Sequence, residues 1–402
     1  MSANAPQAVF GGGIQDAYFF RMDPALTTLQ ATFYGGSGND SGYGVQFDSN
    51  GQVFTTGGTT STDLTMPGTP FQATNNGSVD GYVARWSTDL GNLLSASFLG
   101  TSAFDQTYFV QVDNFDDVYV VGQTHGSYPV SPGVYANPGS SQFIQKLSND
   151  LSTSIWSTVI GSGAGNEDIS PTAFLVSNCG QIYFCGWGGT VNHNMADAGA
   201  STTANLPLTA DAFQTTTDGS DFYLMLLDPD AVALNYATYF GGGTSPEHVD
   251  GGTSRFDKDG TVYQAVCAGC QGNDDFPTTP GAWSNTNNSF YCNLGVFKFE
   301  LAVAHVTIGI DGPNTICIPG SIQFTNSSTG GDTYLWDFGD GTTSTELAPA
   351  HIYTTEGTFN VSMVLSDSYG CTTSDSSEIQ VISIDPTAVS YTHLTLPTSD
   401  LV

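Results

Sequence analysis

GYVARWSTDLGNLLSASFLG, residues 81–100, runs on to FVQVDNFDDVYVVGQT, residues 109–124. Together these segments hold four short apolar runs, separated by turn residues. The same order of features recurs on either side. DAYFFRMDPALTTLQATFYGG (16–36) leads to GYGVQFDSNGQVFTTGGT (42–59), and QFIQKLSNDLSTSIWSTVIGSG (142–163) leads to FLVSNCGQIYFCGWGG (174–189). DFYLMLLDPDAVALNYATYFGGG (221–243) leads to SRFDKDGTVYQAVC (254–267), and a fifth unit opens with LGVFKFEL (294–301) and stops. Units start near residues 16, 80, 141, 221 and 293. A Pro-containing loop follows each of the first four: TMPGTPFQ (65–72), YPVSPGVYA (128–136), LPLTADAFQ (206–214) and FPTTPGAWS (276–284).

DSNG (48–51) and DKDG (257–260) sit between alternating apolar runs and predict hairpin turns. Val53, Val118, Ile182 and Val262 take the same place after the turn. Each unit therefore reads as four short strands. One such sheet cannot bury both of its faces alone. Radial stacking against neighbours can, which is the logic of a β-propeller; a linear stack of sheets is the alternative. Four units and a fifth initial strand predict a partial or open propeller over residues 1–305.

The bulk numbers agree with an all-β chain. Of 402 residues only 11% are charged and 12% are aromatic, a mixture that suits strands joined by polar turns. Net charge is −32, with six Lys+Arg, which leaves no basic patch and excludes nucleic acid and anionic lipid as partners. No run of 18 apolar residues is present, so no membrane insertion is expected. The opening MSANAPQAVFGGG lacks a basic start and an apolar stretch. The composition nevertheless looks extracellular, so the expectation is an internal fragment of a longer secreted or cell-surface protein. Residues 386–402, ending VSYTHLTLPTSDLV, read as a foreign or disordered tail and are excluded from fold reasoning.

The repeated pattern D-x-Y/F-x-x-(K/R), then GG, then D-x-x-G-x-V-Y, G-x-T and Pro, resembles the SBBP-type β-propeller repeat. That resemblance covers about three quarters of the chain and implies large surface proteins of gliding, type IX-secreting bacteria of the Bacteroidetes type. Four of the six basic residues, Arg21, Arg85, Lys146 and Lys298, fall at one repeat position, where the fourth unit has Leu226. Two readings stand. Each cation pairs with an acid or carbonyl of a neighbouring strand, with Asp40, Asp105 and Asp168 as partners; or a half-exposed position simply tolerates long side chains.

Near HVTIGIDGPNTICIPG (305–320) the repeat ends. In YLWDFGDG (334–341), Tyr334, Trp336 and Phe338 face one way and Leu335 and Asp337 the other. Gly339, Asp340 and Gly341 predict a tight turn in which Asp caps backbone amides. In TFNVSMVL (358–365), Phe359, Val361, Met363 and Leu365 alternate inward. Short strands of this kind over about 80 residues predict an immunoglobulin-like sandwich. WDFGDG with the later PAHIY and GTFNV closely resembles a PKD domain, over residues 306–385. By that resemblance Trp336 belongs to the core, Asp337, Gly339, Asp340 and Gly341 to a structural turn, and His351 and Tyr353 to packing.

Seven cysteines are consistent with an oxidising compartment. Cys317 on an early strand and Cys371 after the last strong one are expected to pair. Cys267, Cys270 and Cys292 form a second cluster in which two of the three are expected to pair, Cys270 with Cys292 being the choice. Cys179 and Cys185 flank one strand; six extended residues span roughly 20 Å, so they do not pair with each other. A zinc reading of CAGC (267–270) needs a fourth ligand, for which only scattered His248 or His305 is on offer. Calcium is a candidate cofactor at Asp257, Asp259, Asp337 and Asp340, although turn chemistry alone explains these aspartates. The six histidines are spread thinly, and His193 stands in a third-unit insertion, VNHNMADAGAS (191–201). No HExxH, GxSxG or phosphate-loop motif occurs. No catalytic or cofactor-binding residue is assigned. The expected function is non-enzymatic: a surface structural or adhesion protein whose propeller arm binds glycan or protein through loops, with the PKD domain as spacer. The alternatives are a propeller-class polysaccharide hydrolase or lyase, or an accessory module of a secreted hydrolase. A convergent set of ionisable groups at the centre of the repeats would favour the enzyme.

Overall fold

The structure is a computed structural model and describes residues 2, 4–27, 29–192, 198–249, 254–258, 260–301, 306–367 and 371–383. His193, Asp259, His305, His393 and the 386–402 tail lie outside them. The chain forms two compact units, 1–301 and 302–402. Both are all-β; the described helical elements are two short 3-10 turns, Pro229–Ala231 and Cys270–Gly272.

In the first unit, β1 (Ala17–Met22) and β2 (Leu29–Tyr34) form a two-stranded sheet. The next sheet holds β3 (Asp40–Phe47), β4 (Val53–Thr59), β5 (Asp80–Trp86) and β6 (Leu93–Leu99) in that order. A second four-stranded sheet repeats this with β7 (Asp105–Val112), β8 (Val118–Thr124), β9 (Gln142–Leu147) and β10 (Ser154–Ile160). A third uses β11 (Ser170–Val176) and β12 (Ile182–Trp187), then β15 (Phe222–Leu227) and β16 (Leu234–Phe240). Between them the insertion forms a small hairpin, β13 (Thr190–Asn192) with β14 (Ala198–Ala200). A three-stranded sheet follows: β17 (Arg255–Phe256), β18 (Thr261–Ala268) and β19 (Asn293–Glu300).

Each sheet is out of phase with the sequence unit by two strands. β5 pairs with β4 of the preceding unit as well as with β6 of its own. The Pro-containing loops explain this offset. Each joins the second and third strands of one sheet, and the first three then run along the outermost, fourth strand. Ala96 N–H donates to Pro67 O at 3.2 Å and Phe98 N–H to Gln72 O at 3.1 Å; Asn137 and Tyr239 N–H donate likewise to Val159 and Gln214 carbonyls at 3.1 and 3.2 Å. The loop thus covers an edge that would otherwise expose unpaired backbone groups.

The central strands of these sheets, β4, β5, β8, β9, β12 and β15, are buried along nearly their whole length because both faces are covered. In β5, Tyr82, Ala84 and Trp86 enter the cluster shared with β1 and β2, while Val83 enters the opposite cluster with Val110, Val120 and Phe143. In β8, Val118 and Val120 face back into that second cluster, and Tyr119 and Val121 face forward against Phe174, Phe184 and Met225. Period-two alternation therefore feeds two cores at once. The first strands lie side by side: β7 packs against β3 and β11, and β11 against β17.

The second unit packs two sheets over one core. One holds β20 (Ile308–Asp311), β22 (Gly320–Asn326) and β25 (Ala350–Tyr353). The other runs β21 (Thr315–Cys317), β27 (Thr372–Ile382), β26 (Gly357–Ser366), β23 (Thr333–Asp337), β24 (Thr343–Ser344). Ile322, Phe324 and Tyr353 meet Trp336, Val361, Met363 and Leu365 between them. Trp336 is fully buried and its Nε1–H donates to Glu346 O at 3.0 Å.

The expected bond between Cys317 and Cys371 is not made. β21 runs parallel to β27 and pairs Cys317 with Ile382, while Cys371 immediately precedes Thr372 at the other end of β27. About ten extended residues, roughly 30 Å, separate the two positions. Cys317 is an exposed free thiol, and Cys185 is a buried one. Cys270 and Cys292 are joined.

Candidate functional site

β3, β7 and β11 each carry a β-bulge at the same register. Opposite Gly57, Gly122 and Gly186 the ladder skips one residue: Tyr43, Tyr108 and Thr172 respectively. A bulge leaves its extra residue outside the pairing and re-aims its side chain. All three skipped residues line one open cleft of about 1200 Å³. Tyr43 and Tyr108 stand with ring centres 5.3 Å apart, tilted by 38°, and the Tyr108 hydroxyl donates to Gln123 Oε1 at 2.7 Å. Close approach of β3 and β7 explains the glycine after the first bulge: a Cβ on Gly44 would lie 2.9 Å from Tyr108 O.

The far wall of the cleft is not repetitive. Trp187, at the end of β12, donates its indole N–H to Glu247 O, and its ring lies 6.4 Å from that of His248. Glu247, His248, Arg255 and the Cys270–Cys292 bridge complete that side, with exposed Phe290 and Tyr291 at its rim. Glu247, His248 and Arg255 are thus ionisable residues gathered beside the repeats' first strands.

Glu247 belongs to a series of buried carboxyl groups. Asp40, Asp80, Asp105 and Asp221 are fully buried, Asp168 is 4% exposed and Glu247 1%. Each accepts hydrogen bonds from a turn. Asp40 takes Gly36 N–H at 2.8 Å, Asp105 takes Thr101 N–H at 2.6 Å, and Asp168 takes Ser162 N–H at 2.7 Å. Asp80 takes Asn76 N–H at 2.9 Å, and Asp221 takes Gln214 Nε2–H at 3.3 Å. Burial raises the pKa of all of them despite these bonds. Asp80 and Asp221 are pushed up to about 6, with help from the Asp105 charge and from the Asp218 and Asp275 charges respectively. Glu247 is pushed up to about 8, by burial and by the Asp221 charge.

The four repeat cations do not meet Asp40, Asp105 or Asp168. Those carboxylates face the turns, whereas the cations lie at the opposite end of the strands. Lys146 reaches Asp113 at 3.2 Å and Asp117 and Asp230 at 3.3 Å, and is nearly buried. Burial opposes its charge, yet Tyr119, Asp113 and Asp230 hold its pKa above the usual lysine range. Arg85 donates Nε–H to Gln52 Oε1 at 2.6 Å, exposed Arg21 donates to Thr88 O, and exposed Lys298 lies 3.8 Å from Glu300. Arg85, Lys146 and Lys298 share one feature: each stands 5.0–6.0 Å over the aromatic ring directly across the ladder, Phe54, Tyr119 and Tyr263.

In the second unit the acids serve their turns. Asp337 Oδ1 accepts Gly339 N–H at 2.9 Å and Asp340 Oδ1 accepts Thr342 N–H at 3.0 Å. Gly339 and Gly341 have φ of 77° and 89°. His351 stacks on Phe338 with ring centres 4.0 Å apart, meets Tyr353 edge-on and places Nε2 2.7 Å from Asp340 Oδ2. Asp257 Oδ1 accepts Thr261 N–H at 2.9 Å. Among the described residues, the cluster with metal-ligand geometry is instead His248, Cys267 and Cys292, whose donor atoms lie within 4.8 Å of one another. His248 is thus not scattered, as the sequence suggested; the fold brings it to the cysteines.

Comparison with known proteins fits the second unit. Residues 306–381 match the PKD domain family, and this stretch is a PKD domain. Collagenase ColA of Bacillus cereus is 32% identical over 115 residues, which cover 27% of this chain and 12% of the collagenase. The pre-pro-metalloprotease PrtV of Vibrio cholerae is 36% identical over 77 residues, 18% of this chain and 8% of that protein. The crystal structure of the PKD1 domain of PrtV is 31% identical, covers 19% of this chain and 93% of that domain, and superposes with a TM-score of 0.17. This chain thus spans only a small part of the length of the curated relatives it matches.

Proposed function

We propose that residues 1–301 are an open arc of a β-propeller that binds an extracellular polysaccharide in the aromatic cleft, and that the PKD domain is a spacer within a secreted or cell-surface protein. The observation that carries this reading is the bulge repeated in β3, β7 and β11, which aims Tyr43, Tyr108 and Thr172 into one cleft beside Trp187. Amphipathic aromatic faces suit sugar rings, and the hydroxyls around them supply hydrogen bonds. An arc is supported by the side-by-side first strands and by apolar faces left open at both ends of the series, at Tyr18 and Phe20 and at Leu294 and Val296. The SBBP-like repeat supports a role in adhesion or surface-matrix building in gliding, type IX-secreting bacteria. Binding of the whole chain to a polysaccharide array tests the reading. Tyr43→Ala and Tyr108→Ala should each weaken binding about tenfold, a loss of about 1.4 kcal/mol, while Phe115→Ser, on the β7–β8 turn, should leave it unchanged. No binding to any polysaccharide, or indifference to both tyrosine changes, overturns it.

A second reading, a polysaccharide-cleaving enzyme, is favoured by one observation. Glu247 and His248, adjacent ionisable residues, line the same cleft as the two tyrosines, and burial pushes the Glu247 carboxyl up to about 8. Turnover of a bound polysaccharide, abolished by Glu247→Gln or His248→Ala, would establish that reading over simple binding.

A further inference from the structure

Three backbone relationships bring His248, Cys267, Cys270 and Cys292 together. His248 and Cys267 bridge each other, with His248 N–H donating to Cys267 O at 3.3 Å and Cys267 N–H to His248 O at 2.9 Å. Cys292 immediately precedes β19, whose first residues pair with Cys267 and Ala268 at the end of β18. Around Cys270 the chain turns sharply, with Gly269 and Gln271 on either side both at φ 63°. That turn swings the Cys270 sulfur back toward the others, 3.6 Å from His248 Nδ1, while Cys292 Sγ lies 4.0 Å from the same nitrogen.

We propose that these four side chains form a Cys3His zinc site when the Cys270–Cys292 bond is open, so that the disulfide and the metal are alternative closures of this corner of the sheet. Tetrahedral zinc with Zn–S near 2.3 Å and Zn–N near 2.0 Å places neighbouring ligand atoms about 3.5–4 Å apart. Both sulfur-to-nitrogen separations already have this value, and Cys267 Sγ lies within 4.8 Å of the Cys292 and His248 donor atoms. The Cys270–Cys292 pair must part. A Cys-x-x-Cys turn, one further cysteine and one histidine form a ligand set suited to zinc, and the cluster contains no carboxylate that would favour a harder cation.

The exchange balances. A dithiol reductant gives two electrons and two protons to the Cys270–Cys292 bond and becomes a disulfide itself. Zinc then binds three thiolates and one neutral imidazole, and the three thiol protons leave to solvent. Cys267 is essential to the metal form and takes no part in the Cys270–Cys292 bond, so its replacement separates the two.

The test uses the whole chain, oxidised or reduced with a dithiol, then loaded with zinc and passed through gel filtration. Reduced wild type should retain about one zinc ion per chain and oxidised wild type none. Cobalt(II) in place of zinc should give the sulfur-to-metal absorption of thiolate ligation. Cys267→Ser should keep the oxidised protein intact, with its Cys270–Cys292 bond, and weaken zinc binding of the reduced form at least tenfold; His248→Ala should do the same. If the reduced chain loses its fold, recovery of protease resistance on adding zinc supports the site. Failure to recover, no zinc retained, or equal retention in Cys267→Ser and His248→Ala (adventitious thiol binding only) overturns it.

Discussion

Lys146 Nζ stands 5.0 Å above the centre of the Tyr119 ring, its direct cross-strand neighbour, and three carboxylates close round the same ammonium. Two of them, Asp113 and Asp117, come from the turn that follows β7; the third, Asp230, comes from the turn after β15 in the next sheet. The lysine therefore ties two sheets together at their outer ends. Asp230 also accepts the Trp156 indole N–H at 3.2 Å, so the contact extends to β10.

Replacing Lys146 by Met should be among the most damaging changes in the first unit. It leaves Asp113, 6% exposed, without its cation. Removing one partner of a buried pair costs about 3–5 kcal/mol. Arg85→Met, at the same repeat position in a part-exposed setting with a glutamine partner, should cost about 1 kcal/mol. Chemical denaturation of both variants checks the ranking, and equal midpoints would show that the repeat position is merely tolerant of long side chains.

Glycines that close the outer strands should resist substitution because a buried carboxyl group stands against them. A Cβ on Gly100 would sit 2.6 Å from Asp80 Cγ, and one on Gly241 2.0 Å from Asp221 Oδ1. The repeat pairs an aspartate at the start of one strand with a glycine at the end of its neighbour because the carboxyl group occupies the space. Gly100→Ala should destabilise by about 1–3 kcal/mol through overpacking. A melting temperature within a degree of wild type would mean that Asp80 moves aside freely.

Much of this was legible in the sequence, for physical reasons that also mark its limits. Alternating runs and Asp-containing turns disclosed the strands of the repeats, because successive residues of a strand face opposite sides and at least one side of each strand is packed. The offset between sequence unit and sheet was not legible, since pairing partners are set by where the Pro-containing loops travel. Tyr43 and Tyr108 carried a usable signal, both three residues after a unit's Asp (Asp40 and Asp105); the bulge that aims them did not. Glu247 and His248 sit in a loop, and the His248 bridge to Cys267 and the Trp187 bond to Glu247 O bring them to the cleft. Cys317 and Cys371 misled because both flank strands of one sandwich, and chain order says nothing about which end of β27 each occupies.

Thiol reactivity should separate the cysteines sharply. Cys317 is exposed, so a water-soluble alkylating agent should modify it in the native protein within minutes. Cys185 is fully buried, and burial pushes its thiol up to about 12, so it should stay unmodified until the chain unfolds. Peptide mass mapping before and after denaturation reads both. Native modification of Cys185, or protection of Cys317, would contradict the described strand placement.

The buried carboxyls predict a stability that falls as pH rises. Asp80 and Asp221 hold their protons up to about 6 and Glu247 up to about 8, above the values these groups take in an unfolded chain. Folding therefore takes up protons between pH 4 and 8, and the unfolded state binds fewer. Stability is fully present below the unfolded values, near pH 4, and is lost as pH climbs through 6 and then 8. The net charge of −32 acts in the same direction through self-repulsion, so the group-specific part needs a variant. Glu247→Gln keeps a neutral side chain of the same shape at every pH. It should flatten the upper part of the slope, recovering on the order of 2 kcal/mol at pH 8.5 while leaving pH 5 little changed. Thermal melts of both proteins across this range decide the matter: a wild-type stability that rises from pH 5 to 8.5, or a variant with an unaltered slope, would show that Glu247 does not carry a proton in the folded chain.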